Sequence, residues 1–437
     1  MIPDREALRQ ILAAYLPVNR FLLAYSGGVD SHALLHLMSG LDFELTAIYV
    51  DHGLQPHSKA WGEHCRQHCS DLGVPFIYTS VNVESGPGTS LEAEARKARY
   101  SKLKEYMLQG DCLLTAHHQD DQAETLVLQL LRGAGAPGLA AMPAIAPCGP
   151  GKQARPLLGF SREEILRYAE KHQLQWVDDP SNADVRFDRN LIRQQLIPLL
   201  RQRWPSVSET LCQVAAIQAE NVELLRDLAA MDMAKSAQGE QLSVAAIRSL
   251  SPVRQKNLIR YWLRRLELPV SPRKQLQQII DTMLTAAEDA EPLVRWEAVE
   301  IRRYQDFLYA MRPLGKPEEG FCLSWDGVGQ TLWLESLQAG LSLHHERGRG
   351  IRPEHLNKSV EVRFRRGGES ILLPGRQYSR SLKKLFQDAH VPPWERGRIP
   401  LLYIDGQLAA VVGYWVAQAF SVDGNEIGLW PVLRPAV

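Results

Sequence analysis

Between residues 20 and 131 short apolar runs alternate with helical stretches, and this alternation restricts the chain more than any other feature. The runs cover residues 21–25, 45–50, 75–81 and 112–116, and the helical patterns between and after them begin at Ala33 and cover 61–72, 90–108 and 122–131. A further helical face, Leu8, Ile11, Leu12, Tyr15 and Leu16, precedes the first run. Apolar strands separated by helices predict a parallel sheet with helices on both faces, an α/β fold. Ligands bind such sheets beyond the carboxyl ends of the strands, where the strand order reverses. Three runs end in polar clusters at Ser26, Asp51 and His117, so those clusters are expected on one rim.

The character of the chain changes after Trp204-Pro205. Residues 206–315 are rich in Leu, Ala and Gln at helical spacing and predict a small helical domain. Residues 316–350 resemble a connector with some strand character, and 351–437 a C-terminal α+β domain. Its elements are an alternating strand at Val360–Phe364, a helix at 382–389 and two strands around Asp405-Gly406. With residues 1–205 as the nucleotide-binding domain, this gives three domains and a connector. None of the six cysteines forms a C-x-x-C pair, the start of the chain lacks the basic-then-apolar form of a signal peptide, and no apolar run spans a bilayer. A reduced, cytoplasmic protein without a membrane segment is the expectation. His64-Cys65-Arg66-Gln67-His68-Cys69 brings potential ligands together on a helix, yet it matches no standard zinc spacing.

Ser26-Gly27-Gly28-Val29-Asp30-Ser31 lies between the first strand and a helix. Glycines allow close backbone approach to phosphate, and a helix start presents free N–H groups and a positive dipole end. The hydroxyls of Ser26 and Ser31 add donors, and Asp30 suits Mg²⁺ or the phosphates it bridges. The loop lacks the lysine of a Walker motif and the spacing of a dinucleotide fingerprint. Asp51 closes the second strand and suits a ribose, a metal or a plain strand-end turn. Ser90 is placed to cap a charged helix on which Arg96 and Arg99 share a face, fit for phosphate or for solvent. In Thr115-Ala116-His117-His118-Gln119-Asp120-Asp121-Gln122-Ala123-Glu124-Thr125, a helix that included His117 would align His117, Asp121 and either Glu124 or Thr125 as a face that could bind a cation. Asp120 and Asp121 equally suit helix caps. Arg186, Arg189 and Arg193 form a basic stripe, either phosphate-binding or surface charge.

At the glycine loop the sequence resembles the pyrophosphate-loop (PP-loop) ATPases, of the adenine nucleotide alpha hydrolase-like fold. The further run D-H-G-L, L-E-A-E-A-R-K-A-R-Y, T-A-H-H-Q-D-D-Q-A-E-T, R-G-A-G, R-P-L-L, D-x-S-N and R-N-x-x-R is similar to the bacterial tRNA(Ile)-lysidine synthetases. A weaker likeness continues at 366–369, 374–376, 383–386 and 391–394. The resemblance implies ATP and Mg²⁺ as cofactors, and tRNA(Ile) with a CAU anticodon and free L-lysine as partners, in a monomer or homodimer. It implies adenylation of O2 of the wobble cytosine, then displacement of AMP at C2 by the lysine amine, which changes the codon read from AUG to AUA. On this reading Ser26, Gly27, Gly28, Val29, Asp30, Ser31 and Asp51 bind ATP, with Asp30 also the Mg²⁺ ligand. His117, Asp121 and Glu124 are candidates to hold lysine, and His117 or Asp121 to take its proton. Arg96 and Arg189 are candidates to balance charge on the α-phosphate, with Arg99 and Arg193 as alternatives.

The formal charge is zero, with 50 Lys+Arg against 50 Asp+Glu, which argues against a protein that coats nucleic acid. The balance is uneven, however. Residues 1–205 hold 21 basic and 23 acidic side chains, 206–345 hold 15 and 18, and 346–437 hold 14 and 9. Arg363, Arg365, Arg366, Arg376, Lys383 and Lys384 crowd into the basic end and, with Arg193, are the candidate tRNA contacts. The absence of C-x-x-C disfavours a tRNA thiolase, and the basic C-terminal part disfavours a ligase of small metabolites. A non-catalytic RNA-binding module would not need both the loop and the His117/Asp121 cluster.

Overall fold

The computed structural model describes residues 2–53, 57–83, 91–179, 184–287, 290–315, 317–318, 320–325 and 329–435. Leu54, the Ser90 cap and the Ser181-Asn182 pair lie outside them. The chain divides into two compact units, Met1–Leu228 and Ala229–Val437. No helix among the described residues is long and apolar enough to cross a membrane.

The first unit contains the predicted sheet. Its elements run α1 (Arg5–Ala13), β1 (Phe21–Ala24), α2 (Val29–Ser39), β2 (Leu45–Asp51), α3 (Ser58–Asp71), β3 (Phe76–Ser80), α4 (Leu91–Glu105), β4 (Cys112–Leu114) and α5 (Gln119–Leu131). Then come α6 (Ala136–Leu139), β5 (Ile145–Cys148), β6 (Gly151–Ala154) and α7 (Arg162–Lys171). The sheet order is β3-β2-β1-β4-β6-β5, parallel throughout except for β5 against β6. Successive residues of β1 face opposite sides. Phe21 and Leu23 pack with Leu34, Leu37, Cys65 and Ile165 from α2, α3 and α7, whereas Leu22 and Ala24 pack with Leu103 and Met107 from and just after α4. Both faces are therefore apolar, which is why these runs do not alternate. The order turns between β1 and β4, so the ends of β1, β2 and β4 share one rim.

The second unit holds helices Val244–Arg248, Pro252–Arg265 and Arg273–Gln278. They pack through Ile247, Leu258, Trp262 and Leu276 onto Ile301 and Leu308 of a five-stranded antiparallel sheet. The residues suggested the helices, while the sheet between 237 and 311 is an addition. Farther on, Cys322–Ser324, Val360–Arg363, Leu401–Ile404, Gln407–Val411 and Trp415–Val416 form a second antiparallel sheet. Leu332–Leu334, Ala339–Arg347 and Ile427–Pro435 form a third. Segment 316–350 thus supplies strands to both of these sheets.

Candidate active site at the sheet rim

The glycine loop leaves β1 and enters α2. Gly27 has φ +82, and a Cβ there would come 2.8 Å from Cys65 Sγ, so only glycine fits without a shift. The loop is braced by the Ser31 hydroxyl, which accepts from Ser26 N–H (3.2 Å), lies 3.1 Å from Ser26 Oγ and donates to Gly28 C=O (3.0 Å). Val177 N–H donates to Gly27 C=O at 3.0 Å, so both sides of the turn are pinned. α2 starts on Gly28 with no side-chain cap. Its first amides and positive end are therefore open to an anion.

Asp30 sits in the first turn of α2 with Oδ1 buried and without a hydrogen-bond partner. Burial raises its pKa, opposed by His118, and the nearby Asp121 raises it further. An unpaired buried carboxylate oxygen beside the uncapped amides of a helix start fits Mg²⁺, which takes one or two carboxylates plus phosphate oxygens. No group of three or more His, Cys, Asp or Glu side chains among the described residues could hold a metal unaided. Asp30 would then hold the ion jointly with the nucleotide.

α5 begins at Gln119, after His118, so His117 lies before the helix and does not stack on Asp121 and Glu124 as an included residue would. The reason is a reciprocal cap: Asp121 Oδ2 accepts from His118 N–H at 3.0 Å, and His118 Nδ1 accepts from Asp121 N–H at 3.4 Å. His118 Nε2 also lies 3.3 Å from Asp121 Oδ2 and 3.7 Å from Asp30 Oδ2. It links the two helix starts. The residues alone passed over His118 in favour of His117; the available signal was its spacing, three positions before Asp121.

Asp121 and Glu124 are buried and paired. Arg189 donates to Glu124 Oε2 at 2.8 Å and to Asp121 Oδ1 at 2.9 Å. Arg193 donates to Glu124 Oε1 at 2.6 Å, to Glu124 Oε2 at 3.0 Å and to Asp121 Oδ1 at 2.9 Å. Burial pushes the Asp121 pKa up, but His118, Arg189, His117 and Arg193 together bring it down to about 2. Arg193, read as an RNA contact or an alternative to Arg189, shares the same carboxylates as Arg189. Asp120 turns away, accepting from Arg162 N–H (2.9 Å), Arg201 (2.8 Å) and Ser208 (3.0 Å).

His117 is pushed down to about 3, chiefly by burial and further by Arg96, Arg155 and Arg189, with Asp121 opposing. It is a neutral imidazole at pH 7. Its Nδ1 lies 2.9 Å from the Thr115 hydroxyl, which accepts from Gln153 Nε2 at 3.0 Å. Gln153 Nε2 also donates to Tyr100 Oη at 3.1 Å. These bonds through Gln153 tie α4 to the end of β4, and within α4 Arg96 and Arg99 lie 5.1 and 5.8 Å from the Tyr100 ring centre. Arg96 is exposed, while Arg99 has a buried Nε without a partner. Arg155, missed by residue reading as a bracing group, donates to Gln153 Oε1 (3.0 Å) and Pro143 C=O (2.7 Å).

Asp51 accepts from Tyr78 Oη at 2.5 Å and Gly53 N–H at 2.8 Å. Burial raises its pKa, yet these donors hold it below the usual carboxylate range. In this state it caps the strand-end turn.

The basic candidates of the C-terminal region fall into two groups. Arg363 pairs with Glu361, Arg365 lies 3.4 Å from Glu369, and Arg366 donates to Gly320 C=O at 3.2 Å. Arg376, Lys383 and Lys384 are exposed and make no ion pair among the described residues.

Three family models match the chain: the PP-loop domain over residues 3–200, the TilS substrate binding domain over 242–309 and the TilS substrate C-terminal domain over 360–432. Among curated relatives, the tRNA(Ile)-lysidine synthase of Coxiella burnetii is 39% identical, covering 98% of this chain and 96% of that protein. The tRNA(Ile)-lysidine synthase of Alkalilimnicola ehrlichii is 41% identical, covering 95% and 94%. That of Pectobacterium atrosepticum is 39% identical, covering 99% and 98%. An uncapped helix start joined through His118 to a carboxylate–arginine cluster thus sits in a chain that belongs, over nearly its full length, to the tRNA(Ile)-lysidine synthase family of ATP-dependent ligases.

Proposed function

We propose that this rim joins free L-lysine to C2 of the wobble cytidine of tRNA(Ile) with a CAU anticodon, by way of an adenylated O2. The observation that supports it best is His118, placed between Asp30 of the phosphate loop and Asp121 of the carboxylate cluster. ATP and amine chemistry then share one side chain's reach.

The open start of α2 and the Ser26–Ser31 loop receive the β- and γ-phosphates and stabilise the pyrophosphate as it leaves. Mg²⁺, held by Asp30 with those phosphates, supplies further charge neutralisation when bound. Arg96 and Arg189 are the candidates to balance the α-phosphate, with Arg99 and Arg193 as alternatives. Asp121 stays ionised at neutral pH and, with Glu124, is the candidate to hold the lysine ammonium, in exchange for bonds these carboxylates otherwise make to Arg189 and Arg193. His117 is too weak a base at a pKa of about 3. Negative phosphate charge arriving on the rim raises its basicity, so that it takes the amine proton only after ATP has bound. Residues 206–315 and 351–437 grip the body of the tRNA, the latter through Arg376, Lys383 and Lys384. The protein acts in the cytoplasm as a monomer or homodimer.

ATP–pyrophosphate exchange tests this reading. Exchange is expected only with the tRNA and Mg²⁺ present, and Asp30→Ala should abolish it. Exchange without tRNA, or full lysine incorporation by Asp30→Ala, would contradict the assignment.

A further inference from the structure

The phosphate loop is flanked by two buried polar side chains that the chemistry on the rim does not use. Tyr25 is the residue before Ser26 and His32 the residue after Ser31, and each is 2% exposed. Tyr25 Oη lies 2.7 Å from His32 Nδ1, with Cys65 as a further partner of the hydroxyl. Burial holds the Tyr25 phenol far above its ordinary range, so it keeps its proton. The two backbones are fixed as well. Tyr25 N–H donates to Ile48 C=O at 2.9 Å beyond the end of β1, and His32 N–H donates to Gly28 C=O at 3.0 Å in the first turn of α2. The pair therefore spans the loop from strand end to helix start.

A second link lies inside this one, from Ser26 N–H and Oγ to Ser31 Oγ. The two links respond differently to an anion. Each serine hydroxyl has one proton to give, so a phosphate competes with the inner link. The Tyr25–His32 link is in the core, away from such competition. His32 is also held from behind by a row of rings. It meets the His68 ring edge-on at 4.5 Å, and His68 meets His64 at 4.3 Å. His64 Nε2 donates to Gln175 C=O at 3.1 Å, and two residues on, Val177 N–H donates to Gly27 C=O at 3.0 Å. The row thus starts at one end of the loop and returns to its middle. The run His64–Cys69, which matches no zinc spacing, has a use as this brace.

We propose that Tyr25 and His32 are positioning residues for the nucleotide. Their bond keeps the Ser26–Ser31 loop in its phosphate-binding shape while the serine hydroxyls turn to the ligand. They act through the loop and not on the phosphates. The proposal rests on the reading that this loop receives the phosphates of ATP. A buried polar pair costs more to desolvate than apolar side chains of the same size. What it contributes is direction, a fixed distance and angle between β1 and α2. A loop with two adjacent glycines needs that constraint, because its backbone is otherwise free. A loop already ordered loses less entropy when it binds.

The test uses the full chain with Mg²⁺ and two ligands, a non-hydrolysable ATP analogue and AMP, which lacks the two phosphates assigned to the loop. Kd is measured by calorimetry for the wild type, Tyr25→Phe, His32→Leu and His32→Asn, with thermal melts beside them. His32→Leu keeps apolar bulk but offers Tyr25 no polar atom. His32→Asn loses bulk but places a polar atom where Nδ1 was. Tyr25→Phe and His32→Leu should weaken the analogue about ten-fold, the scale of one buried hydrogen bond, and leave AMP within about two-fold. His32→Asn should bind the analogue more tightly than His32→Leu even where it melts lower. Tighter binding by His32→Leu than by His32→Asn, equal losses for AMP and the analogue, or unchanged binding by Tyr25→Phe would overturn the proposal. Should the His32 variants not fold, Tyr25→Phe decides alone, since it removes only an oxygen. A wild type that binds the analogue no more tightly than AMP would remove the phosphate reading of the loop and this proposal with it. A wild type that binds the analogue tightly yet forms no lysidine would contradict the proposed function alone.

Discussion

Two helices open on the rim and treat their free amides in opposite ways. α2 starts on Gly28 without a side-chain cap, whereas α5 starts on His118 and is closed by reciprocal bonds with Asp121. Each helix start carries roughly half a positive charge. At α2 that charge is left for a ligand. At α5 it is met by Asp120 and Asp121, and Asp121 and Glu124 in turn hold Arg189 and Arg193. The rim therefore has an anion-seeking end and an end whose charges the protein satisfies itself. The proposed chemistry needs both: phosphates at the first, an amine at the second.

The most damaging change should be one that closes the open end. Gly27→Ala puts a Cβ against Cys65 at a positive φ. We expect ATP–pyrophosphate exchange to fall roughly 10²- to 10³-fold, as when an oxyanion donor is lost, with the fold intact by circular dichroism. Exchange within a few-fold of wild type would show that the phosphates bind elsewhere. At the closed end, Asp121→Asn should reduce lysine incorporation roughly 10²-fold while exchange suffers far less. Equal loss of both steps would erase the distinction between the two ends.

The closed end should also bear more of the stability. Glu124 is nearly inaccessible, and its removal leaves two guanidiniums short of a partner. Glu124→Ala is expected to lower the unfolding free energy by about 3 kcal/mol in urea titrations. Acid should act through the same cluster. His117 titrates at about 3 in the folded protein against 6.5 when free, so the unfolded chain binds the extra proton between those values. Stability should therefore fall as pH drops through that window, and His117→Gln should flatten this part of the curve in thermal melts. Asp121, lowered to about 2, adds stability that is present above the ordinary carboxylate range and lost as pH falls through 2.

The smallest effects should come from the exposed cations far along the chain. Replacing Arg376, Lys383 and Lys384 with Ala should raise KM for tRNA several-fold without changing the melting temperature. It should also reduce the salt dependence of binding by about one unit of slope per lost phosphate contact. Arg363→Ala should do less, because that side chain is already paired with Glu361.

Much of the first unit was legible from its residues because a parallel strand buried on both faces leaves an unbroken apolar run, as at 21–25 and 45–50. The rim followed from where those runs stop. The pairing of the cluster was not legible, because Arg189 and Arg193 meet Asp121 and Glu124 across 65 to 72 positions, a distance no local pattern encodes. His118 was hidden by its neighbour, since two adjacent histidines look alike until the backbone decides which one caps the helix. The middle sheet was masked differently. Glu300 is buried on strand Val299–Tyr304 and neutralised by Arg302 on the same strand and Arg295 on its neighbour Leu293–Trp296, so charged side chains interrupt what would otherwise read as apolar strands.

On the proposed reading, the two ends of the rim together make lysidine. Mass analysis of nucleosides tests it most directly, on tRNA(Ile) transcript incubated with the protein, ATP, Mg²⁺ and isotopically labelled lysine. The label is expected on the wobble cytidine, dependent on ATP and lost in Asp30→Ala and Asp121→Asn. An unmodified cytidine, or label that persists in both variants, would contradict it.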